Sequence, residues 1–450
     1  MIPVVTPEEM GAIDRAAPEP VEVLIERAGR AVARAAIDLL GGTYGRRVVV
    51  LAGKGNNGND GRAAARVLQA RGVRVTVVDA LAFPERLPGC DLVIDAAFGT
   101  GFRGSYRAPA LAPGQRVLAV DIPSGVSGLT GEVSERVLSA ERTVTFAALK
   151  PGLLLEPGAS YTGEIELADI GLDTSSASTH LVEPSDVAAW LPRRDPSTHK
   201  WRRAVCVIGG SPGLEGAAVL ACRAALRAGA GYVRWASPGA VPAGVKPHEV
   251  VGVELPAHGW SGSVLADHRR FQALVVGNGL GLEEAQRDEV RAVVAQRDIP
   301  VVVDADAITL LGPSAAEVVG PTTVLTPHDG ELTRLMGAPP GADRIASARE
   351  AAARLGAVVL LKGPLTIVAA PDGRVLVTAT GDARLATLGT GDVLAGVVGG
   401  LCAQGLDPFR AAAAAAFIHG EAGDLGWRRG LVAGDLVEHL PEVLERYAAD

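Results

Sequence analysis

Apolar residues first recur at helical spacing. Leu24, Ile25, Ala28, Val32 and Ala35 line one face of a helix predicted over 7–40. Past Gly41-Gly42 that period vanishes, and short aliphatic runs take over at 47–52, 73–78, 91–95, 116–122 and 142–146. Runs that are apolar at nearly every position, not at alternate ones, fit strands covered on both faces of a parallel sheet. The series closes near Ile170. Residues 172–185 are rich in Ser and Thr and lack apolar periodicity, so a boundary is predicted there, between a domain over 1–175 and one over 185–450. A second series follows, with strands predicted at 204–208, 232–236, 272–276, 300–304, 322–326 and 357–361. A hairpin of 364–370 with 374–378 turns at Pro371-Asp372-Gly373. The Ala-rich stretch 391–447 reads as a helical layer on that sheet. No repeat with a period of about 20–50 residues is visible, which removes solenoids and propellers. The pattern is two α/β domains in tandem.

Composition narrows the class of function. The 450 residues carry 43 basic and 51 acidic side chains, a formal charge of −8, with 48% hydrophobic and 4% aromatic residues. An acidic chain with few aromatics lacks both the basic patch and the stacking platforms of a nucleic-acid binder. Cys90, Cys206, Cys222 and Cys402 are scattered and form no CxxC, as expected of free thiols in a reducing compartment. Met1-Ile2-Pro3 is followed by Glu8-Glu9, without a signal pattern, and no apolar run approaches the ~18 residues of a membrane span. A soluble cytoplasmic protein with no membrane partner is expected.

Candidate chemistry in the first half gathers at strand ends. Gly53-Lys54-Gly55-Asn56-Asn57-Gly58-Asn59-Asp60-Gly61 follows one strand and opens a helix predicted over 60–71. Its glycines let a ligand approach the backbone, and a helix start favours an anion. It is neither a Walker A loop nor GxGxxG, and alone it is also compatible with a tight turn. Asp95, Gly99–Gly104 and Asp121-Ile122-Pro123-Ser124-Gly125 follow three further strand ends. In an open α/β sheet the ligand crevice lies beyond those ends, so Asn57, Asp95, Asp121 and Ser124 converge on one edge. Carboxylate and neutral oxygens, with no histidine in this half, suit a hard cation and not zinc.

Together GKGNNGxDG, DxxFGTG, DIPSG, TVTFAALKPG and the helical Glu26-Arg27-Ala28-Gly29 resemble the NAD(P)H-hydrate epimerase family over about residues 6–171. The resemblance implies a Rossmann-like three-layer sandwich. It implies substrate contacts by Asn56, Asn57, Gly58, Asn59 and Asp60, by Gly99, Thr100, Gly101, Phe102, Arg103, Gly104 and Ser105, and by Asp121, the candidate acid/base. It further implies a potassium ion held by Asn57, Asp95 and Ser124. Asn59 stands where the family usually has Gly.

In the second half, Gly209-Gly210-Ser211, Gly277-Asn278-Gly279-Leu280-Gly281, Val303-Asp304-Ala305-Asp306 and Leu325-Thr326-Pro327-His328-Asp329-Gly330-Glu331 each end a predicted strand. His328 fits a helix cap; no histidine spacing suits a metal. Gly389-Thr390-Gly391-Asp392 opens a helix predicted over 391–405. Backbone N–H groups there form an anion hole for a transferring phosphoryl group, and Asp392 can take a proton from the attacking hydroxyl. Lys362-Gly363 with Thr366 offers a nucleotide contact.

GTGD resembles the ribokinase-like superfamily. With His199-Lys200, GGSxxxxGA, VxGxGLG, VVDADA, LTPHxGEL, LLKG and TxGTGDVLAG it resembles the ADP/ATP-dependent NAD(P)H-hydrate dehydratase branch over about 185–450. This implies a ribokinase-like three-layer sandwich. Substrate contacts implied are Ala217, Gly279, Gly281, His328, Asp329, Gly330, Glu331, Leu332, Thr333 and Arg334, with Asp392 catalytic. Nucleotide contacts implied are Lys362, Gly363, Pro364, Leu365 and Thr366, then Asp382, Ala383, Arg384, Leu385, Ala386, Thr387, Leu388, Gly389, Thr390 and Gly391. Asp382 replaces a usual Asn, Arg384 a small residue and Leu388 a Gly.

The order of the two halves resembles a bifunctional repair enzyme. The implied substrates are NADHX and NADPHX, the hydrated forms of NADH and NADPH, whose epimers the first domain interconverts. The second dehydrates the S form with ADP or ATP, Mg²⁺ neutralising phosphate charge. A homo-oligomer is expected. A ribokinase-superfamily small-molecule kinase fused to a non-catalytic nucleotide-binding module is the alternative left by GTGD alone.

Overall fold

A computed structural model describes all residues except 83, 194–198, 240, 243, 297 and 449–450. The chain divides into two compact units, Ile2–Thr179 and His180–Asp450, the latter counted together with Met1.

In the N-terminal unit the predicted helix over 7–40 is two helices, Pro7–Ala16 and Val21–Leu40. The break has a local cause. Ala17 precedes Pro18, which disfavours helical backbone at that residue, and its ψ is 131°. The sheet runs Arg74–Asp79, Arg47–Ala52, Leu92–Ala96, Arg116–Val120, Arg142–Phe146 and Glu164–Ala168, parallel throughout. The last of these strands was not anticipated. Its alternating, charged sequence suits an edge, where Glu164 and Glu166 pair with Arg142. Apolar side chains cover both faces, one from Leu24, Val32, Ala36 and Leu68, the other from Val49, Leu51, Val93 and Tyr106. A Cβ at Gly29 would run into the Cβ of Ala63, so the glycine lets helix Val21–Leu40 lie against Asn56–Ala70. That second helix starts four residues before the expected position, and Asn57 to Asp60 are its first turn, not a loop.

In the C-terminal unit successive strands run, in order, Val375–Thr378, Thr366–Ala369, Val358–Leu361, Thr323–Leu325, Val301–Val303, Ala273–Val276, Ala204–Ile208, Tyr232–Pro238 and, at the edge, Val251–Leu255. Pairing is parallel from Val251–Leu255 to Val358–Leu361. It becomes antiparallel in the hairpin, where Gly373 takes φ +90° at the turn. The edge strand Val251–Leu255 was also missed. Helices Glu215–Arg227, Thr390–Cys402, Pro408–Leu425 and Ala433–Tyr447 form an alanine-rich layer on one face, whose small side chains allow close packing. No helix among the described residues is long and apolar enough to cross a membrane.

Candidate active sites

The N-terminal unit holds a cavity of about 590 Å³ beyond the carboxyl ends of its parallel strands. Asn56, Asn57, Asp60, Gly99, Thr100, Gly101, Phe102 and Asp121 line it. Strand Arg116–Val120 ends because Asp121 adopts φ +69°, a region that side-chain-bearing residues seldom occupy and that often marks function. Its carboxylate is held from three sides. Thr100 N donates to Oδ2 at 2.8 Å, Thr145 Oγ1 donates to Oδ1 at 3.3 Å, and Lys150 Nζ lies 2.7 Å from Oδ1. Lys150 is buried and also donates to Thr145 Oγ1 at 2.8 Å and to the Phe146 carbonyl at 3.1 Å. A Cβ at Gly99 would stand 3.0 Å from Asp121 Oδ2 and 3.2 Å from the Asn57 side chain, so glycine keeps this corner open.

Burial pushes the Asp60 carboxyl up to about 8, helped by the charges of Asp121 and Asp14; Asp14 is itself raised, first by burial. Phe98 and Phe102, with ring centroids 4.6 Å apart, furnish an apolar wall. Asp14 and Lys150 are site residues that motif reading did not single out. Asp14 belongs to no motif, and Lys150 lies within TVTFAALKPG, where it stands as a lysine among apolar neighbours.

Of the other predicted contacts, Gly58 packs so closely on Gly53 that a Cβ would overlap its carbonyl. Asn59 is helical, its N–H bonded to the Gly55 carbonyl, so the side chain creates no backbone conflict. Arg103, Gly104 and Ser105 are not among the lining residues. Asp95 and Ser124 are fully buried: Asp95 Oδ2 accepts from Ser124 N at 2.9 Å, and Ser124 Oγ accepts from Phe98 N at 2.9 Å. Burial raises the Asp95 carboxyl against its hydrogen bonds to Ser124 and Ala97. Both polar atoms of the Asn57 side chain are buried without a partner.

In the C-terminal unit the strand ends deliver a polar network. Asn278 Nδ2 donates to Asp392 Oδ1 at 2.7 Å and to Asp304 Oδ2 at 3.0 Å. Asp304 Oδ1 accepts from Thr326 Oγ1 at 2.7 Å and from Lys362 Nζ at 2.9 Å, and Glu331 lies 3.7 Å from the same ammonium. Burial lowers the proton affinity of Lys362, but Asp304 and Glu331 outweigh it and raise the group. A Cβ at Gly391 would stand 3.5 Å from Lys362 Nζ, which places the ammonium at the start of helix Thr390–Cys402. Burial pushes the Asp392 carboxyl up to about 6; the Asn278 bond and Lys362 oppose the rise, and Asp304 and Asp306 add to it.

The remaining predicted residues divide by accessibility. Ala217 adjoins Gly279, which takes φ +63°, and Gly281 N donates to Asp306 Oδ2 at 2.8 Å. His328 caps helix Asp329–Met336, its Nδ1 accepting from Gly330 N and Glu331 N. Asp329 pairs with Arg344, Thr333 Oγ1 bonds the Asp329 carbonyl, and Arg334 is exposed. Leu332 and Leu365 are 1% and 3% exposed, so their side chains belong to the core. Gly363 lies against Arg344, and Pro364 and Thr366 flank Leu365. Asp382 pairs with Arg384, which also reaches the Gly426 carbonyl, so two of the departures compensate each other. Ala383, Leu385 and Ala386 form the turn that follows, closed by Thr387 and Thr390 side chains. Leu388 is 97% exposed, and Gly389 takes φ +91° ahead of the helix.

Comparison with known proteins covers both units. A family model described as NAD(P)H-hydrate dehydratase matches residues 205–446, and one described as YjeF-related protein N-terminus matches 21–88 and 79–152. The chain is 39% identical to a bifunctional NAD(P)H-hydrate repair enzyme Nnr of Moorella thermoacetica, over 98% of this chain and 96% of that protein. It is 40% identical to the enzyme of that name from Mycobacterium tuberculosis, over 83% and 82%. The solved ADP/ATP-dependent NAD(P)H-hydrate dehydratase of Bacillus subtilis, co-crystallised with ATP and Mg²⁺, is 31% identical with a TM-score of 0.52. That similarity covers 59% of this chain and 97% of that one. A ribokinase-like superfamily protein from Enterococcus faecalis, 23% identical with a TM-score of 0.53, shares the fold over 60% of this chain and 97% of its own. Near-complete coverage at this identity, with both halves matched in order, makes the chain a member of the bifunctional NAD(P)H-hydrate repair enzyme family.

Proposed function

We propose that the N-terminal unit interconverts the R and S epimers of NADHX and NADPHX, and that the C-terminal unit converts the S epimer to NADH or NADPH at the expense of ADP. Both halves matching one two-domain family speaks against a small-molecule kinase with an inert partner module. A cytoplasmic setting and a homo-oligomeric state belong to the same proposal, the first in keeping with four unpaired cysteines.

For epimerisation, Asp121 is the acid/base that assists loss and return of the ring hydroxyl, aimed by Thr100, Thr145 and Lys150. Asn57 Oδ1, buried and unpartnered, and Asp95, buried with no cationic side chain paired to it among the described residues, suit a monovalent cation. Asn57, Asp95 and Ser124 would hold potassium, which would supply positive charge near the substrate's phosphates.

For dehydration, the single observation that carries the reading is Asp392. It is a carboxylate at a glycine-rich helix start, beside the Lys362 cluster, which burial raises to about 6. Asp392 accepts the proton of the C6 hydroxyl as that oxygen attacks the terminal phosphorus of ADP. The nucleotide's P–O bond breaks, AMP leaves, and phosphate is then eliminated from the ring. Hydroxide is a poor leaving group and phosphate a good one, which explains the use of a nucleotide. Mg²⁺ would neutralise phosphate charge, in keeping with its presence beside ATP in the Bacillus subtilis protein.

A coupled assay tests both units. With mixed-epimer NADHX and ADP, reduced-nicotinamide absorbance should be restored in full; recovery that stalls at the S fraction would exclude epimerisation. Asp392→Asn should abolish dehydration and leave epimer exchange, followed by chromatography, intact. Loss of both in a folded variant would refute separate sites.

A further inference from the structure

Asn278 is fully buried between Gly277 and Gly279, just past the strand Ala273–Val276, and its carbonyl accepts from Gly210 N at 2.9 Å. Its side chain has one nitrogen, and both hydrogens on it are committed to carboxylates, at 2.7 Å to Asp392 and 3.0 Å to Asp304. The orientation of the amide is dictated chemically. Turning it over would set an oxygen against two acceptors and take the amide donor from both carboxylates. The cost is visible at the other end, where Asn278 Oδ1 is buried without a partner. A buried polar atom left unpaired is destabilising, so the arrangement is retained at a cost to the fold.

We propose that Asn278 is a positioning residue of the dehydration site: its amide clamps Asp392 to Asp304 and thereby sets the pH above which Asp392 can accept a proton. The inference rests on Asp392 being the proton acceptor. The lysine does not serve in its place, because it donates to the far oxygen of Asp304, as the Thr326 hydroxyl does. The chain of contacts therefore runs from Lys362 and Thr326 through Asp304 and Asn278 to Asp392. The charged groups acting on Asp392 are Asp304 and Asp306, which disfavour its ionised form, and Lys362, which favours it. Glu331 shares the Lys362 ammonium. On the helices packed against Thr390–Cys402, His419 is turned to the Thr390 carbonyl, and Arg223 and Arg227 are taken by Glu438. Among the described residues Asn278 is the one neutral side chain that donates to Asp392. An amide hydrogen bond favours the ionised carboxylate, so its loss makes Asp392 hold its proton to higher pH.

The test uses the full chain with S-NADHX and Mg-ADP, and reads single-turnover dehydration rates across pH. Asn278→Leu removes the donor and excludes water from the space. A hydrogen bond to a charged group translates into a shift of about one to two pH units. The acid limb of the rate profile should move upward by that amount, while the dissociation constant of ADP, measured by titration, stays unchanged. Asn278→Ser retains one donor and should give a smaller shift; being smaller than Asn, it also tests the inference should Leu not fold. A wild-type acid limb in either folded variant overturns the proposal. So does a uniform fall in rate without a shift, which would reduce Asn278 to shaping the pocket. If the wild-type chain restores no absorbance at any pH, the dehydration reading itself fails and takes the inference with it.

Discussion

Replacing Lys150 by Met examines the N-terminal site where its electrostatics are most exposed to failure. The ammonium is 1% exposed and lies 2.7 Å from Asp121 Oδ1. Methionine fills much of the same volume and removes the charge, so what changes is the state of Asp121. Deleting one member of a buried ion pair costs about 3–5 kcal/mol, because its partner is left uncompensated. Asp121 retains the Thr100 N–H and the Thr145 hydroxyl, and its side chain is 13% exposed. That places the loss at the lower end, about 3 kcal/mol, or roughly a hundredfold in the unfolding equilibrium. The double variant Lys150→Met/Asp121→Asn removes both charges and should recover most of the loss, by the logic of a double-mutant cycle. The probe must be chosen with care. All five tryptophans, Trp190, Trp201, Trp235, Trp260 and Trp427, lie in the C-terminal unit, so their fluorescence is blind to this perturbation. Hydrogen-exchange mass spectrometry of peptides spanning Arg116–Val120 and Arg142–Phe146 reads the affected strands directly. Wild-type protection in the single variant, or no recovery in the double, would refute the account of Lys150 as the compensating charge.

Two pH effects follow from groups that burial perturbs in opposite senses. Asp60 is raised from 3.8 to about 8, so the native N-terminal unit keeps a proton that the unfolded chain gives up. Its contribution is complete below about pH 4 and is lost as pH rises towards about 8. The ratio of wild-type to Asp60→Asn exchange protection should decline across that window, and a flat ratio would contradict it. His419 is lowered from 6.5 to about 4 by burial, its Nε2 2.9 Å from the Thr390 carbonyl. Its contribution is present above about pH 6.5 and is lost as pH falls through about 4. Urea midpoints followed by tryptophan fluorescence should drop over that range in the wild type and less in His419→Gln; parallel curves would exclude the histidine as the cause.

What the sequence disclosed and what it withheld separate along a physical line. Short runs rich in β-branched residues, such as 47–52 and 204–208, signal buried parallel strands, whereas the longer alanine-rich run 411–418 is a buried helix. The polar residues that interrupt those runs, Asp95, Asp121, Asp304 and the segment before Asp392, mark the crevice for the same reason. Edge strands Glu164–Ala168 and Val251–Leu255 carry mixed patterns because one side meets solvent, and periodicity cannot tell them from loops. The helix start at Asn56 was misplaced because asparagine and glycine read as turn residues, although the first turn of a helix tolerates them. Asp14, outside every motif, was beyond reach for another reason, and Lys150, although inside TVTFAALKPG, gave no sign there of what it meets. Their importance lies in meeting Asp121 and Asp60 across the fold, and no local pattern encodes a meeting.

The two sites place their lysines differently, and the difference fits the chemistry asked of each. Lys150 touches its carboxylate directly and is saturated by Thr145 and Phe146, so its charge is committed to fixing Asp121 in place. Lys362 stands one residue further back, its bond made to Asp304; its charge acts on Asp392 through space, while the Asn278 amide bridges the two carboxylates. With the ammonium bonded to Asp304 in place of Asp392, burial holds the Asp392 carboxyl up at about 6, and the positive charge stays at the helix start, where the proposed reaction would gather phosphate oxygens. The same pair of side-chain types therefore meets directly in one unit and across Asp304 and the Asn278 amide in the other, so the two carboxylates proposed as acid/base groups are held by different arrangements.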